Sequence, residues 1–258
     1  MPLPLRRCSD PRVGPLPDST GSAAMMRFVA ETGSTNADMK ALALDGAPEG
    51  QWLRAGRQMA GRGRMGRDWE GGEGNLYAST LIRLLPTDPP PPTLALVAAV
   101  AVHRALGDYV GAQAITIKWP NDIMAGSAKL SGILLERAGD AIIIGIGVNV
   151  AHAPPLADRQ ATSLHELGAV NCNAATLLDG IARHWDDGVR QWRTFGVEPV
   201  ARSWQDRAHA AGTPLAALLP DGQRIEGRFD ALDRDGALIM RLADGGRHVI
   251  HAGDVFLI

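Results

Sequence analysis

The pattern of apolar and polar residues predicts a series of short strands in the first part of the chain. Residues 75–84 alternate as a half-buried strand does, and residues 141–148 form the apolar run of a buried strand. Shorter patterns of this kind predict four more strands, at residues 27–31, 51–56, 115–119 and 129–136.

Helical patterns fall between and after these strands, at residues 37–44, 93–106, 173–195 and 198–211. The first follows Ser34-Thr35-Asn36, whose side chains are typical helix caps, and Gly46 and Pro48 end it. Prolines within residues 86–92 predict a stiff polyproline connector. Because strands and helices alternate irregularly, the order favours a mixed α+β sheet with helices on one side over a strict βαβ repeat.

After Gly212 the pattern changes to short β segments separated by hairpin turns. Residues 212–258 are too few to form more than a marginal core by themselves, so we expect a small barrel docked on the main domain. The predicted organisation is a disordered, proline-rich tail at residues 1–25, a main domain at 26–211 and the small β domain at 212–258. The predicted strands of the small domain are residues 214–219, 224–232, 237–242 and 247–250.

Composition and charge narrow the class of protein. The chain has 258 residues, 45% of them hydrophobic, so it can bury a substantial core. A net charge of -2 argues against a general nucleic-acid binder, since phosphate-driven affinity needs a broad basic face. Cys8 and Cys172 lie far apart, which argues against a disulfide framework and favours the reducing cytoplasm.

Neither a secretion signal nor a membrane anchor is predicted. Arg6-Arg7 is not followed by an apolar run of about 7 to 15 residues. The longest apolar runs, residues 93–102 and 141–150, are shorter than the roughly 20 residues that span a bilayer. Met25-Met26, just before the first predicted strand, leaves a later translation start open.

A loop rich in glycine and arginine, Gly61-Arg62-Gly63-Arg64-Met65-Gly66-Arg67, follows the second predicted strand. Its spacing also fits a dinucleotide-binding turn, but that turn must open a helix. Residues 68–74 are too rich in glycine to continue one, since each interior glycine costs about 1 kcal/mol relative to alanine. The three arginines suit phosphate or carboxylate oxygens. A solvated basic loop remains the alternative from spacing alone.

Four further clusters lie at predicted strand ends. Residues 33–36 could orient a polar ligand or simply cap a helix. Lys118-Trp119-Pro120-Asn121-Asp122 combines a cation, an aromatic ring and a carboxylate, although a surface turn is the alternative. Lys129 opens an otherwise apolar strand and could face an anion or protect a sheet edge. Residues 144–149 carry alternate glycines, which permit close approach of a flat ligand or another backbone.

The order of these motifs resembles the biotin protein ligases over almost the whole chain. The matching segments, in chain order, are Gly33-Ser34-Thr35-Asn36, residues 58–69, Lys118-Trp119-Pro120-Asn121-Asp122, Lys129-Leu130-Ser131-Gly132 with the strand to Glu136, and Gly145-Ile146-Gly147-Val148-Asn149. Each motif alone is weakly specific, but five in one order are highly specific.

The resemblance implies an α+β fold, in which a seven-stranded mixed-sheet catalytic domain precedes a C-terminal SH3-like barrel. It also implies two half-reactions. Biotin and ATP first form biotinyl-5'-adenylate and pyrophosphate, with Mg²⁺ on the triphosphate. A lysine of the biotin carboxyl carrier domain of acetyl-CoA carboxylase, or of a related carboxylase, then takes the biotin and expels AMP.

The same resemblance assigns roles to residues. Arg62, Lys129, Arg64 and Arg67 would be catalytic, because cations must offset the repulsion between a carboxylate and an α-phosphate. Lys118, Asn121 and Asp122 would position the amine or the metal, and no protein-held structural metal is expected. Biotin or the adenylate would contact Ser34, Thr35, Asn36, Gln58, Gly61, Arg62, Gly63, Arg64, Trp69, Lys129, Gly132, Gly147 and Asn149.

Two rival functions remain at this point. A lipoate ligase also forms an acyl adenylate, but the glycine-arginine loop and the 118–122 motif follow the biotin ligase pattern. A DNA-binding repressor is disfavoured, since only a short tail precedes the catalytic motifs. No DNA or membrane partner is therefore expected, while monomer and homodimer both stay open. Because a wetted acyl adenylate hydrolyses, loops are expected to close over it.

Overall fold

The computed structural model describes residues 25–155 and 160–258. Within them, the first sheet has seven strands in the order β1-β2-β3-β7-β6-β5-β4. Strands β1 and β2 are parallel and every other neighbouring pair is antiparallel, which confirms the predicted mixed sheet. The strands are β1 (Met25–Thr32), β2 (Gln51–Gln58), β3 (Leu76–Arg83), β4 (Thr116–Lys118), β5 (Asp122–Ala125), β6 (Ala128–Ala138) and β7 (Ala141–Val148). The predicted tail, apart from Met25, lies outside the described residues.

Helices cover both faces of this sheet. Helix α1 (Thr35–Leu44) packs on one face, where Met39 contacts a cluster that includes Leu81 and Ile143. Helices α2 (Leu94–Val110), α3 (Ala174–Phe195) and α4 (Glu198–Gln205) share the core on the opposite face. The expectation of helices on one side only is therefore wrong for α1. Strand β7 is apolar on both faces, so both need a cover.

Helix α2 is the central helix of the larger core. The stretch Pro91–Val110 is long and apolar enough to cross a membrane, but two-thirds of it is buried inside the protein. It packs against α3 and α4, as an apolar core helix does. Trp192 of α3 is fully buried and its indole N–H donates to Thr93 Oγ1 at 2.8 Å, next to the start of α2.

A second sheet is formed by the C-terminal residues. It is antiparallel, in the order β11-β10-β9-β8-β12. This agrees with the predicted small β domain, while closure into an SH3-like barrel stays a prediction. The second sheet shares the larger core, since Trp204 of α4 packs edge-on against Phe229. Its strands are β8 (Pro214–Leu218), β9 (Arg224–Leu232), β10 (Leu238–Arg241), β11 (Arg247–Ile250) and β12 (Asp254–Leu257).

Several elements differ from the prediction. Strands β5 and β12 were not expected, since each has only four residues and neither alternates clearly in the sequence. Helix α4 ends at Gln205, earlier than predicted, and Arg207 and Ala208 lie in a turn whose backbone runs beside β4. The proline-rich connector gives way to a short 3₁₀ turn, Pro91–Thr93, directly before α2.

Candidate active site

The glycine-arginine loop joins β2 to β3 and does not open a helix. Gly63 N–H donates to Arg67 O at 2.7 Å, and Trp69 N–H donates to Gly61 O at 2.9 Å, so the loop folds back on itself. A single 3₁₀ turn, Arg64–Gly66, forms its tip, where Met65 has a φ of 56°. This geometry excludes the dinucleotide-binding turn, because within the described residues the loop continues into β3 and not into a helix.

A cavity of about 430 Å³ lies on the face of the first sheet that carries α1. Its wall includes residues from all five motifs, although these are far apart in sequence. Of the predicted site residues, Gly61 does not line the cavity and instead lies at the base of the loop. The predicted residues that do line it are Ser34, Thr35, Asn36, Gln58, Arg62, Gly63, Arg64, Arg67, Trp69, Lys118, Asn121, Asp122, Lys129, Gly132, Gly147 and Asn149.

The floor of the cavity is nearly bare backbone. Gly132 on β6 is paired in register with Gly147 on β7. A Cβ added to Gly147 would lie 2.4 Å from the Trp69 ring, and one added to Gly132 would lie 2.8 Å from it. A Cβ at Gly145 would lie 2.2 Å from Asn36 Oδ1. The alternate glycines therefore admit flat groups of this chain, a tryptophan ring and an amide, against the sheet.

One end of the cavity is a network of uncharged hydrogen-bonding groups. Gln58 Oε1 accepts from the Thr35 backbone N–H at 2.8 Å and from its hydroxyl at 2.9 Å. Ser79 Oγ lies 2.8 Å from Thr35 Oγ1 and 2.7 Å from Asn36 Oδ1. Ser34 occupies the N-cap position of α1, yet its side chain makes no capping hydrogen bond. The capping explanation for this motif therefore does not account for the buried Ser34 hydroxyl.

A buried group of opposite charges lies in the middle of the cavity. Lys129 Nζ lies 2.6 Å from Asp122 Oδ1, and Lys118 Nζ lies 3.7 Å from Asp122 Oδ2. The lysine side chains are 15% and 14% exposed, so Lys129 is not a solvated edge lysine. Its ammonium also lies 5.4 Å from the centre of the Trp69 ring. Two cations and one carboxylate leave this centre net positive.

The arginines of the loop differ in their partners. Arg64 donates to Asn121 Oδ1 at 3.5 Å and to Gly253 O at 3.2 Å, and Arg67 pairs with Asp254. Burial lowers the pKa of Arg64 from its usual value, an effect that Asp254 and Asp122 oppose. The Arg62 side chain is exposed and forms no hydrogen bond or ion pair with the residues that the structure describes. Arg62 is thus available to an anionic ligand.

The far wall is held by two asparagines. Asn149 Nδ2 donates to Thr162 O at 3.0 Å, while its buried Oδ1 accepts no hydrogen bond within the described part of the chain. Asn75 Oδ1 accepts from the backbone N–H groups of residues 150–152, at 2.9 to 3.1 Å. Asn75 thereby fixes the loop that carries Pro154 and Pro155 into the cavity wall.

Sequence reasoning missed several residues of the site. Ser79 and Asn75 lie within residues 75–84, which were predicted as a half-buried strand without a role in the site. Glu136 accepts from Asn36 Nδ2 at 2.7 Å and was noted only as the end of a motif. Asp254, Val255 and Phe256 reach the cavity from the second sheet, and no motif flanks them. A serine among the apolar residues of a strand is the signal that could have identified Ser79.

The geometry can now be compared with known proteins. Residues 29–149 match the Biotin/lipoate A/B protein ligase family, and residues 215–258 match the biotin protein ligase C-terminal domain. A biotin–acetyl-CoA-carboxylase ligase of Paracoccus denitrificans is 36% identical over 241 residues, covering 89% of this chain and 99% of that protein. The chain belongs to the biotin protein ligase family.

Further relatives agree with this membership. A biotin–acetyl-CoA-carboxylase ligase of Mycobacterium tuberculosis is 35% identical over 88% of this chain and 86% of its own length. Among solved structures, the biotin protein ligase of Aquifex aeolicus in complex with biotin and ATP has a TM-score of 0.81 at 25% identity, covering 91% of this chain and 99% of that one. The ligase of Leishmania major with biotinyl-5-AMP has a TM-score of 0.65 at 28% identity, covering 88% and 99%.

Proposed function

We propose that this chain is an ATP-dependent biotin protein ligase. It converts biotin and ATP to biotinyl-5'-adenylate and pyrophosphate, and then transfers biotin to a lysine of a carboxylase carrier domain with release of AMP. The observation that carries this proposal is the single cavity whose wall includes residues of all five motifs. Its polar end, cationic middle and arginine-bearing loop follow the order of a neutral head group, a carboxylate and a phosphate chain.

The uncharged end suits the biotin head group. Its ring is a neutral urea with both N–H donors and a carbonyl acceptor, so it needs polar groups without net charge. Thr35 and Gln58 line the cavity and supply hydroxyl and amide groups, and the buried Ser79 hydroxyl helps to hold Thr35 in place. The ring would pack beside the Trp69 indole, which itself lies against Gly132 and Gly147, with its polar atoms towards this network.

The cationic middle suits the first reaction. There the biotin carboxylate attacks the α-phosphate, and the developing charge needs fixed cations. Lys129 lies between Asp122 and the Trp69 ring, so its ammonium is preorganised at the floor. Arg62, without a partner among the described residues, would close on the phosphate from above.

Asp122 favours positioning of an amine over binding of a metal. Its carboxylate is already shared by Lys129 and Lys118, which oppose the close approach of a cation. Mg²⁺ would therefore enter on the triphosphate of ATP, which it partly neutralises. In the second reaction the acceptor lysine, as a neutral amine, attacks the acyl carbonyl, AMP leaves with the bonding electrons of the acyl C–O bond, and the nitrogen loses one proton to solvent. Asp122 could orient that amine next to Lys118.

The acceptor and the compartment belong to this proposal as well. Relatives named as acetyl-CoA-carboxylase ligases support a carrier domain of such a carboxylase as the acceptor. We place the protein in the cytoplasm, where biotin-dependent carboxylases and ATP meet. The buried free thiol of Cys172 is compatible with a reducing compartment.

The test is biotin-dependent exchange of pyrophosphate with ATP, followed by transfer to a carrier domain read as a mass increase on one lysine. We expect exchange with biotin and none with lipoate. Exchange driven by lipoate would instead indicate the lipoate ligase alternative. Lys129→Ala should slow adenylation roughly tenfold to a few hundredfold, because a hydrogen bond to a charged group is worth about 1.5 to 3 kcal/mol.

Lys40→Ala is the matched control for this substitution. Lys40 lies on the exposed side of α1 and does not line the cavity. It should keep the rate of the unmodified protein. Full adenylation and transfer rates in Lys129→Ala, with an unchanged melting temperature, would contradict the role assigned to Lys129.

A further inference from the structure

The last strand of the chain contributes to the wall of the cavity. Strand β12 lies at the edge of the second sheet and pairs with β8. Val255 is buried in the shared core, so Asp254 and Phe256 project from the opposite face of the strand. Both line the cavity. Residues of the C-terminal sheet thus face the loop that carries the arginines.

Strand β12 makes specific contacts with two of these arginines. The Arg67 guanidinium pairs with the Asp254 carboxylate. Arg64 donates to the Gly253 carbonyl at 3.2 Å, and its other terminal nitrogen lies 4.0 Å from Asp254. The same nitrogen reaches Asn121 Oδ1 at 3.5 Å. The loop is therefore held between the 118–122 turn and the second sheet.

The position of the Gly253 carbonyl is itself fixed. Gly253 has a φ of +152°, and an added Cβ would lie 2.7 Å from Leu218 O on the neighbouring strand. A side chain would therefore be strained at this position. The acceptor for Arg64 is a backbone group of a paired strand, so the contact does not depend on a mobile side chain.

The Asp254 carboxylate offsets the repulsion between neighbouring cations. Arg64 and Arg67 line the same cavity as Lys118 and Lys129, and Arg67 lies close enough to Arg64 for their like charges to repel one another. The Asp254 side chain is 20% exposed, so its charge is partly shielded from water and acts strongly on the two guanidinium groups. Without this carboxylate the loop would lose its ion pairs to the second sheet and keep only the Arg64–Gly253 hydrogen bond, while its own charges favour opening.

We propose that Asp254 is a positioning residue that holds the glycine-arginine loop closed over the adenylate until the acceptor lysine arrives. This inference rests on the proposed function, since it concerns retention of the intermediate. Loss of the Asp254 charge should release adenylate into water. Water then attacks the acyl carbonyl of the released molecule and gives biotin and AMP, and the emptied site can react again.

The experiment measures pyrophosphate release from biotin and ATP-Mg²⁺ in the absence of any acceptor. The unmodified protein should give a burst of about one pyrophosphate per site and then a slow steady release. In Asp254→Asn the burst should persist, while the steady rate rises about three- to tenfold, as expected for the loss of one partly exposed charge pair. Asp254→Glu should return the steady rate towards that of the unmodified protein.

Asp230→Asn is the matched control. Asp230 lies on β9 of the same sheet and pairs with Arg241 and Arg247, and it does not line the cavity. Its substitution removes a carboxylate from two arginines without touching the loop, so the steady rate should not change. An equal rise in Asp230→Asn would assign the effect to general loosening of the sheet and overturn the proposal.

Asp254→Ser removes the same charge with a smaller polar side chain and should raise the steady rate in the same way. This variant keeps the test valid if Asp254→Asn melts below the assay temperature. Steady release at the unmodified rate in both variants, each with an intact burst, would overturn the role of Asp254 alone. Absence of any burst in the unmodified protein would instead remove the proposed function and this inference with it.

Discussion

At the scale of single residues, the site depends on glycines, which have no Cβ, as much as on its functional side chains. Gly147 leaves space on β7 that the Trp69 ring fills. Alanine there would place a Cβ 2.4 Å from that ring, too close for either group to stay in position. The effect should fall on the cavity and spare the core, because the opposite face of β7 is unchanged.

We therefore expect Gly147→Ala to slow biotin-dependent pyrophosphate exchange at least about tenfold, which corresponds to roughly 1.4 kcal/mol in the barrier. Tryptophan fluorescence should report the displacement of Trp69. Gly180→Ala is the control, since a Cβ on this residue of α3 would meet only an ordinary contact, 3.5 Å from the Ala105 Cβ of α2. An active Gly147→Ala protein with unchanged fluorescence would show that the glycine floor is not needed.

The residues that sequence reasoning found and those it missed differ in a physical way. Lys129 and the three loop arginines carry charge within motifs, so their chemistry is visible along the chain. Ser79 is a small polar residue in a strand, and its relevance to the site follows only from its hydrogen bond to Thr35 Oγ1 in the folded chain. Asp254 lies 187 residues from its partner Arg67, and no local pattern can predict that contact.

At the scale of elements, His103 ties helix α2 to the start of β4. His103 Nε2 lies 3.2 Å from Ile115 O, and Nδ1 is buried without a partner among the described residues. Burial lowers the pKa of His103, and the charges of Arg207 and Arg104 act in the same direction. The folded protein therefore holds this imidazole neutral under conditions in which the unfolded chain would bind a proton.

The sign of the pH dependence follows from that difference. Between the lowered folded pKa and the unfolded value of about 6.5, the unfolded chain binds more protons, so stability falls as pH decreases through this window. We expect a lower melting temperature at pH 5.5 than at pH 7.5, with a smaller difference in His103→Gln, whose amide can still donate to Ile115 O. Burial also lowers the pKa values of His184 and His209, so part of the pH dependence of the melting temperature should remain in His103→Gln.

The control for this prediction is His248→Gln. His248 lies on β11 of the second sheet, away from α2, and should leave the pH dependence unchanged. Identical pH dependence in the unmodified and His103→Gln proteins would contradict the assignment. Both elements that frame His103 were predicted from their own patterns, α2 as a long apolar helix and β4 within the strand at residues 115–119, whereas β5, which pairs with β4, was not predicted.

At the scale of the whole molecule, the two sheets share one hydrophobic core. Trp204 of the helical layer is 1% exposed and packs against Phe229 of the second sheet. The Trp119 indole N–H donates to Gly236 O at 3.1 Å, so the 118–122 turn is attached to the second sheet as well. The change to short β segments after Gly212 predicted a separate β unit, but the sequence pattern does not predict which surfaces of the main domain that unit covers. The Trp119–Gly236 contact joins residues 117 positions apart, and no local pattern predicts it.

A chain ending at residue 211 should therefore not keep a native main domain. It would expose the Trp204 and Trp119 rings and remove the acceptor of the Trp119 N–H, and an apolar side chain of this size contributes about 1.5 to 3 kcal/mol when buried. We expect the full chain to unfold in urea in one transition, seen equally by tryptophan fluorescence and circular dichroism. The truncated chain should show a red-shifted emission and a much lower midpoint. A chain lacking only the exposed Ile258 is the control and should match the full chain. Two separate transitions in the full chain, with the first leaving tryptophan emission unchanged, would show that the sheets are energetically independent and that the arginine loop is not tied to the stability of β12.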